Sequence, residues 1–303
     1  MRVGITGGTG FLGGHLARKL LDRGDSVVVF TRRPGVRLPG GAASVAWNPY
    51  EEPAPGAALR ELDAVVHLAG EPVLGLWTRA KRERIRRSRL LGTTRLLEGL
   101  RLAEPRPRVL LSGSATGFFG NRGDEALTET SAPGEGFLAS LCREWESAAS
   151  PAEDLRIRLV LLRTSLPLHP SGGFLKPQIL PFRLGLGTVL GSGKQWVPWI
   201  HLQDWVDLAL FALDTESLRG PLHVTAPNPV TNRAFTKTLA RVLGRPAPFR
   251  IPAFVLRAAL RDLADEAILA GQRLLPEKAL RAGFRFAFPE LEPALRDLFR
   301  PRG

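Results

Sequence analysis

An α/β fold with a doubly wound parallel sheet is predicted by three features of the chain. A glycine-rich turn follows an apolar run at the very start, strand-like and helical runs alternate through the first half, and the run 64–69 is almost wholly apolar. Alternation of this kind implies parallel strands joined by right-handed crossovers. An apolar strand without polar alternation suits a sheet covered by helices on both faces. At 303 residues the chain can bury one large core or two smaller ones.

The first unit reads Val3-Gly4-Ile5-Thr6-Gly7-Gly8-Thr9-Gly10-Phe11-Leu12-Gly13, a strand, a turn and the start of a helix. Glycines at 7 and 10 let the backbone turn tightly and approach a pyrophosphate with no side chain in the way. The helix starts near Phe11 and Leu12, so its unpaired N–H groups and positive dipole end face an anion. Gly13 is expected to let the helix pack closely on the sheet. Three spaced glycines alone are weak evidence. Here they follow a strand and open the amphipathic stretch Leu12, Leu16, Leu20, Leu21, the context a dinucleotide-binding Rossmann-type unit requires.

The second strand, 26–31, ends in Arg32 and Arg33. A carboxylate at this place would accept both ribose hydroxyls of NAD. Two guanidinium groups suit a 2′-phosphate instead, so the expected cofactor is NADP(H). The bland alternative is a pair of exposed arginines in an arginine-rich chain.

Further strands are predicted at 44–47, 64–69, 108–113 and 157–163, with helices near 11–23, 78–102 and 136–149. Leu68, Ala69 and Gly70 close the fourth strand and would bring bare backbone to the cofactor. After Thr164 the texture changes, and Pro167 to Gly193 looks like extended loops framing a cleft. Helical patterns return at 203–213, 232–243 and 253–271, and 276–303 forms a short closing element of helix and loop. The expected organisation is a cofactor domain over 1–165 plus about 200–220, with a smaller discontinuous C-terminal α/β cap over 166–199 plus 221–303.

Composition narrows the class. No apolar run approaches the twenty residues of a membrane span, and the chain start leaves no room for a signal peptide, so a cytoplasmic protein that does not enter a membrane is expected. One cysteine, Cys142, excludes an internal disulfide and fits a reducing compartment. The net charge of +13 comes from 42 Lys+Arg against 29 Asp+Glu. Its densest cluster runs from Arg79 through Lys81, Arg82, Arg84, Arg86, Arg87 and Arg89 to Arg95. Ile85, Leu90, Leu91, Leu97 and Leu100 share that segment at helical spacing, so the cations are expected to form a solvated outer face rather than a nucleic-acid surface. No histidine pair has metal-ligand spacing with a carboxylate or cysteine partner, so no metal is expected.

Four stretches resemble extended short-chain dehydrogenases/reductases, the superfamily of nucleotide-sugar epimerases: Thr6 to Gly13, His67-Leu68-Ala69-Gly70, Leu111-Ser112-Gly113-Ser114-Ala115-Thr116, and Trp199-Ile200-His201-Leu202-Gln203-Asp204. Pro181-Phe182-Arg183-Leu184-Gly185, Thr225 to Asn232 and Gly271 to Pro276 are similar to the atypical "epimerase family" branch, which ends in a small domain of uncharacterised role. The resemblance spans nearly the whole chain. It implies Ser112 beside the cofactor and Ser114 as the serine that positions a substrate oxygen. It also implies a tyrosine as acid/base, with a lysine four residues later that lowers its pKa.

That dyad is missing. One register places Phe137 and Leu141 at its two positions, the other Leu138 and Cys142, and Tyr50 is the chain's one tyrosine. A phenyl ring exchanges no proton. Cys142 could serve as a weak acid/base if Arg143 lowers its pKa, although a cysteine on a helix is more often buried packing. His201 titrates near neutrality but suits a structural role as well. Asp204 is expected to cap a helix at 205–213, and one of Glu144 and Glu146 to pair with an arginine. Lys194, Gln195, Trp196 and Trp199, near Ser192 and Arg183, either hold a substrate or seal the fold.

Three functions stay open. The first is an NADP(H)-dependent oxidoreductase or epimerase-like enzyme acting on an unidentified small molecule. The second is a non-catalytic NADP(H)-binding sensor or interaction scaffold. A nucleic-acid binder, resting on charge alone, is the third and least supported.

Overall fold

The computed structural model describes residues 1–33, 35 and 38–300. The first half of the chain runs β1 (Arg2–Thr6), α1 (Phe11–Asp22), β2 (Ser26–Thr31), β3 (Ala43–Ala46), α2 (Gly56–Leu59), β4 (Ala64–His67), α3 (Arg79–Arg101), β5 (Val109–Ala115), β6 (Ala126–Leu127) and α4 (Phe137–Ala149). There follow β7 (Arg158–Thr164), β8 (Leu166–His169), β9 (Gly172–Gly173), α5 (Lys176–Arg183), β10 (Thr188–Leu190), β11 (Trp196–Val197), β12 (Trp199–His201) and α6 (Leu202–Asp214). The chain closes with β13 (Gly220–Val224), β14 (Val230–Thr231), α7 (Asn232–Val242), β15 (Phe249–Ile251), α8 (Ala253–Leu260), β16 (Arg273–Leu274), α9 (Glu277–Arg281) and α10 (Leu291–Phe299).

Seven strands form one sheet in the order β13-β7-β5-β4-β1-β2-β3. The paired strands β1–β2, β1–β4, β2–β3 and β4–β5 all run parallel, as the alternation predicts. Val3 lies opposite Val27 on one side and Ala64 on the other, so the chain leaves β1 in both directions from the same register. Strand order reverses between β1 and β4, and ligands of open α/β sheets bind outside the carboxyl ends of strands at such a point. Residues of β1, β2 and β4 are buried almost throughout.

Contacts divide the chain into two compact units. The first comprises Met1–Ser114, Leu141–Leu162 and Val206–Leu222; the second comprises Ala115–Ser140, Arg163–Trp205 and the chain from His223 onward. A core of the first unit gathers Val28, Phe30, Trp47, Leu62, Val65, Leu96, Leu100 and Leu110 between sheet and helices. Burial of each such side chain contributes about 1.5–3 kcal/mol. The basic helix α3 buries Ile85, Leu96, Leu97 and Leu100 and exposes Arg84, Arg86 and Arg87, part of the expected solvated face, whereas Arg89 turns in to donate to the Glu71 and Ile85 carbonyls. Thr78 caps it by accepting the Lys81 N–H at 3.1 Å.

The second unit is built differently. Its core joins Leu168, Phe182, Trp199, Phe235, Leu239, Leu291 and Leu295. Its strands are mostly two to four residues long and pair in small sheets, β12-β8-β9, β10-β15, β11-β14 and β16-β6. The stretch expected as extended loops from Pro167 to Gly193 thus carries helix α5 and parts of several strands. The helix expected over 253–271 breaks after Leu260, where Arg261 takes φ 52° and ψ −133°, and resumes as one π-type turn at Ala264–Ile268. The last three residues of the expected closing element lie outside the described residues.

Candidate functional site

The turn after β1 is shaped by what its glycines leave out. Gly7 takes φ +72°, and a Cβ there would lie 2.9 Å from the Ala69 nitrogen. Gly10 accepts no side chain cheaply either, since its Cβ would meet the Gly7 oxygen at 3.1 Å. Gly13 was expected to press on the sheet; its Cβ would instead strike the Gly7 carbonyl oxygen at 2.4 Å, so it presses α1 onto the turn itself. Gly8 does the packing against the sheet, facing the Val29 side chain on β2. Gly10 is the N-cap of α1, and no side chain accepts the N–H groups of the first turn. Phe11 and Leu12 open that helix, an anion-receptive end by its partial charge and unmet donors.

A cavity of about 330 Å³ opens over this turn. Gly7, Gly10, Arg32, Arg33, Leu68, Ala69 and Gly70 all line it, so most of the residues predicted to hold a cofactor meet at one place. Thr6, Thr9, Trp47, Tyr50, His67 and Ser88 line it too. At the β2 end, the Arg32 guanidinium carbon lies 5.9 Å from the centre of the Tyr50 ring and the Arg87 guanidinium carbon 5.2 Å from it. Cation–π attraction therefore gathers two positive side chains around one ring. Among the described residues neither cation forms an ion pair. The nearest acid of the lining, Glu71, already accepts from Lys81 at 2.7 Å, and that hydrogen bond holds its carboxyl below the usual range.

Beneath the lining runs a buried chain of hydrogen bonds. Thr93 Oγ1 donates to the Arg89 carbonyl at 2.7 Å, so it can only accept from the Trp145 indole N–H at 3.1 Å and from His67 Nε2 at 3.2 Å. His67 therefore carries its proton on Nε2, and its Nδ1 accepts from Thr6 Oγ1 at 2.7 Å, which in turn accepts the Ala69 N–H at 3.2 Å. Burial pushes the His67 pKa down to about 4, so the ring is neutral at neutral pH. This chain ties β1, β4, α3 and α4 together under the cavity.

The remaining predicted residues are not in that lining. Ser112 is wholly buried on β5, opposite His67 in register, and its hydroxyl has no partner. Ser114, 5% exposed, donates to Glu146 Oε1 on α4 at 2.6 Å. Cys142 is buried on α4, near Arg89, whose pKa burial lowers while Cys142 and Glu71 oppose the shift. His201 belongs to the second unit, where its Nδ1 accepts the Gln203 N–H at 3.1 Å, its Nε2 lies 3.4 Å from an Asp297 oxygen and its ring lies tilted against that of Phe288, centres 4.0 Å apart. Burial pushes its pKa to about 4.

Two expectations about acids resolve here. Glu144 pairs with Arg86, as expected of one of the two glutamates, which leaves Glu146 to Ser114. Asp204 does not stand ahead of a helix at 205; α6 already begins at Leu202, and the carboxylate accepts the backbone N–H groups of Ala287 and Phe288 at 2.8 and 2.9 Å. Trp196 Nε1 donates to Asp124 and Trp199 Nε1 to the Asn228 carbonyl, both within the second unit. Nothing in the sequence pattern singled out Glu146 from Glu144, since only the fold decides which one meets β5.

The family model of NAD dependent epimerases/dehydratases matches residues 3–224. The chain belongs to that family. A second model, a domain of unknown function, matches residues 251–298. The chain is 37% identical over 294 residues to epimerase family protein Mb2239 of Mycobacterium bovis, covering 97% of this chain and 96% of that one. Among solved structures it is similar to human epimerase family protein SDR39U1, crystallised with NADPH, at a TM-score of 0.89 and 32% identity over 98% of this chain and 99% of that one. UDP-glucose 4-epimerase of Thermus thermophilus, solved with NAD, shares the fold at a TM-score of 0.76 and 22% identity, with 99% of both chains covered.

Proposed function

We propose that the first unit binds NADP(H) and that this family member is an oxidoreductase or epimerase-like enzyme acting on a small molecule. The observation that carries the proposal is the single cavity lined at once by Gly7 and Gly10, by Arg32 and Arg33, and by Leu68–Gly70. The glycines at 7, 10 and 13 let the turn fold so tightly that any Cβ would strike its own backbone or that of Leu68–Ala69, which supports bare backbone facing a pyrophosphate. Arg32 and Arg33 supply charge for the 2′-phosphate, and no carboxylate ends β2 to repel it. The human relative solved with NADPH supports the same assignment. When bound, such a cofactor supplies or accepts a hydride at its nicotinamide ring.

Proton handling then falls to residues other than a tyrosine and a lysine. Of the three candidates, Ser114 is the one whose hydroxyl is joined to a group that can exchange a proton, the Glu146 carboxylate at 2.6 Å. The proposed roles are Ser114 on the substrate oxygen and Glu146 as the reservoir behind it. The bonds His201 makes within the second unit support a structural role for it, and the burial of Cys142 supports packing.

Calorimetric titration with NADPH, NADP⁺ and NADH tests the cofactor. Tight binding that favours the phosphorylated forms is expected, and replacing Arg32 and Arg33 by Glu should cost NADPH at least about tenfold while sparing NADH. Equal affinity for NADPH and NADH in the unaltered chain would remove the 2′-phosphate assignment. A second reading, a sensor that binds the cofactor without turnover, is favoured by α4 carrying neither phenol nor amine at Phe137 and Leu141 or at Leu138 and Cys142. NADPH oxidation across a panel of carbonyl compounds, abolished by Ser114→Ala, separates the two.

A further inference from the structure

Two short helices of the second unit are more apolar outside than inside. α8 buries only Leu256 and leaves Phe254 71% and Val255 42% exposed. α5 leaves Leu180 67% exposed, and Leu184 and Leu186 follow it at 65% and 49%. Between the helices β10 and β15 pair side by side, Thr188 opposite Phe249, which is itself 50% exposed. The two segments are in close contact: a Cβ at Gly187 would lie 2.7 Å from the Ala247 methyl, and one at Gly185 would lie 3.6 Å from the Pro246 ring. These exposed side chains sit on segments joined by that strand pair, and apolar groups gathered in one exposed patch mark interaction sites.

The charge along this strip is mostly positive, and its acids, Asp262 and Asp265, lie just past α8. No Asp or Glu occurs from Lys176 to Gln203 or from Leu218 to Arg261. Lys176, Arg183, Arg245, Arg250 and Arg261 are exposed, and none forms an ion pair among the described residues. Arg257 is the exception, held by Asp265 at 2.9 Å. Arg261 also keeps a backbone conformation, φ 52° and ψ −133°, that a glycine would take more easily.

We propose that this face of the second unit rests on an anionic lipid bilayer. Arginine and lysine would meet headgroup phosphates while Leu180, Leu184, Phe249 and Phe254 enter the interface. Alternating cations and large apolar groups on short helices are the chemistry of interfacial attachment. Association of two copies through this face would bring like charges together, which disfavours it. A small soluble anion gains nothing from exposed leucines. Among the described residues no helix is long and apolar enough to cross a membrane, so the contact is with one surface.

The test is co-sedimentation of the full chain with phosphatidylcholine vesicles and with mixed phosphatidylcholine–phosphatidylglycerol vesicles, at rising salt. Sedimentation with the mixed vesicles alone, reversed by salt, is expected. Leu184→Glu with Phe254→Glu should lower partitioning at least about tenfold, and Arg183→Glu should lower it about fivefold. All three residues are exposed, so the variants should keep their melting temperature; Leu184→Ala with Phe254→Ala repeats the test should they not. Failure to sediment with the mixed vesicles overturns the proposal, as does undiminished binding by the variants. Binding to polyglutamate as strong as to the mixed vesicles, and indifferent to the apolar substitutions, would assign the face to an acidic polypeptide instead.

Discussion

The two units differ in where their buried polar groups lead. In the first, Thr6, His67 and Thr93 form a continuous chain whose upper members also line an open cavity, so packing and binding share the same atoms. In the second, buried charge is consumed in tying distant segments together. Glu129, 5% exposed, accepts the backbone N–H groups of His223 and Lys278, and Asp204 accepts those of Ala287 and Phe288. The first unit keeps donors unmet at the start of α1, beside its cavity; at Glu129 and Asp204 the second meets backbone donors with carboxylates. Unmet donors suit a ligand, and satisfied ones suit a scaffold.

The largest effect that would break this contrast is at Asp204. Asp204→Ala removes two charge-assisted bonds and leaves two backbone donors without acceptors, costing about 3–5 kcal/mol. Denaturant unfolding should show the loss, while NADPH affinity at low denaturant is unchanged. A large loss of NADPH affinity in the folded variant would mean that the scaffold of the second unit also tunes the first.

Next comes acidity, which touches histidines in both units; His67 and His201 share one window, and His223 of the second unit is pushed lower, to about 3. Burial holds His67 and His201 each at about 4 against an ordinary 6.5. As pH falls below 6.5 the unfolded chain takes up protons that the native chain refuses until about 4. Their stabilisation is therefore complete above that window and lost on the way down through it, about 3 kcal/mol for each. His67→Gln and His201→Gln should each flatten the fall in stability between the two pH values. If the units unfold in separate steps, each substitution flattens only its own step; a single shared transition flattened by both would show one cooperative fold.

The same contrast explains what could be read before folding. β1, its turn, α1, the paired cations after β2 and the apolar face of α3 are local patterns, and local patterns fix a Rossmann-type unit and most of its cavity. Tyr50 and His67 lie on that cavity because three strand ends converge, which no spacing in the sequence states. Ser114 was legible by resemblance; its partner Glu146 was not, because it lies 32 positions away on another element. The second unit is legible least. β6 pairs with β16 across about half the chain, and strands of two residues leave almost no periodic signal. The break of the 253–271 pattern at Arg261 has no proline or glycine to announce it.

A smaller effect contrasts two neighbouring glycines in the first unit. Gly13→Ala forces a methyl to within 2.4 Å of a backbone carbonyl that cannot move without opening the turn. Overpacking of this kind costs about 1–3 kcal/mol, and NADPH binding should fall with it.

Gly14→Ala is the smallest effect and the sharpest control. Gly14 lies inside α1 and donates to the Gly10 carbonyl as any helical residue does. A Cβ there would lie 3.5 Å from the Gly8 oxygen, an ordinary contact. Alanine restricts the unfolded chain and has the higher helix propensity, so the variant should gain about 0.5–1 kcal/mol. Adjacent substitutions of the same kind would then move stability in opposite directions, measurable as opposite shifts in melting temperature. If both destabilise, the tight fit extends past Gly13 to Gly14 and is not set by the Gly7 carbonyl alone. If only Gly13→Ala destabilises and only it weakens NADPH, the constraint is the Gly7 carbonyl, and the turn is glycine-rich for the sake of what sits over it.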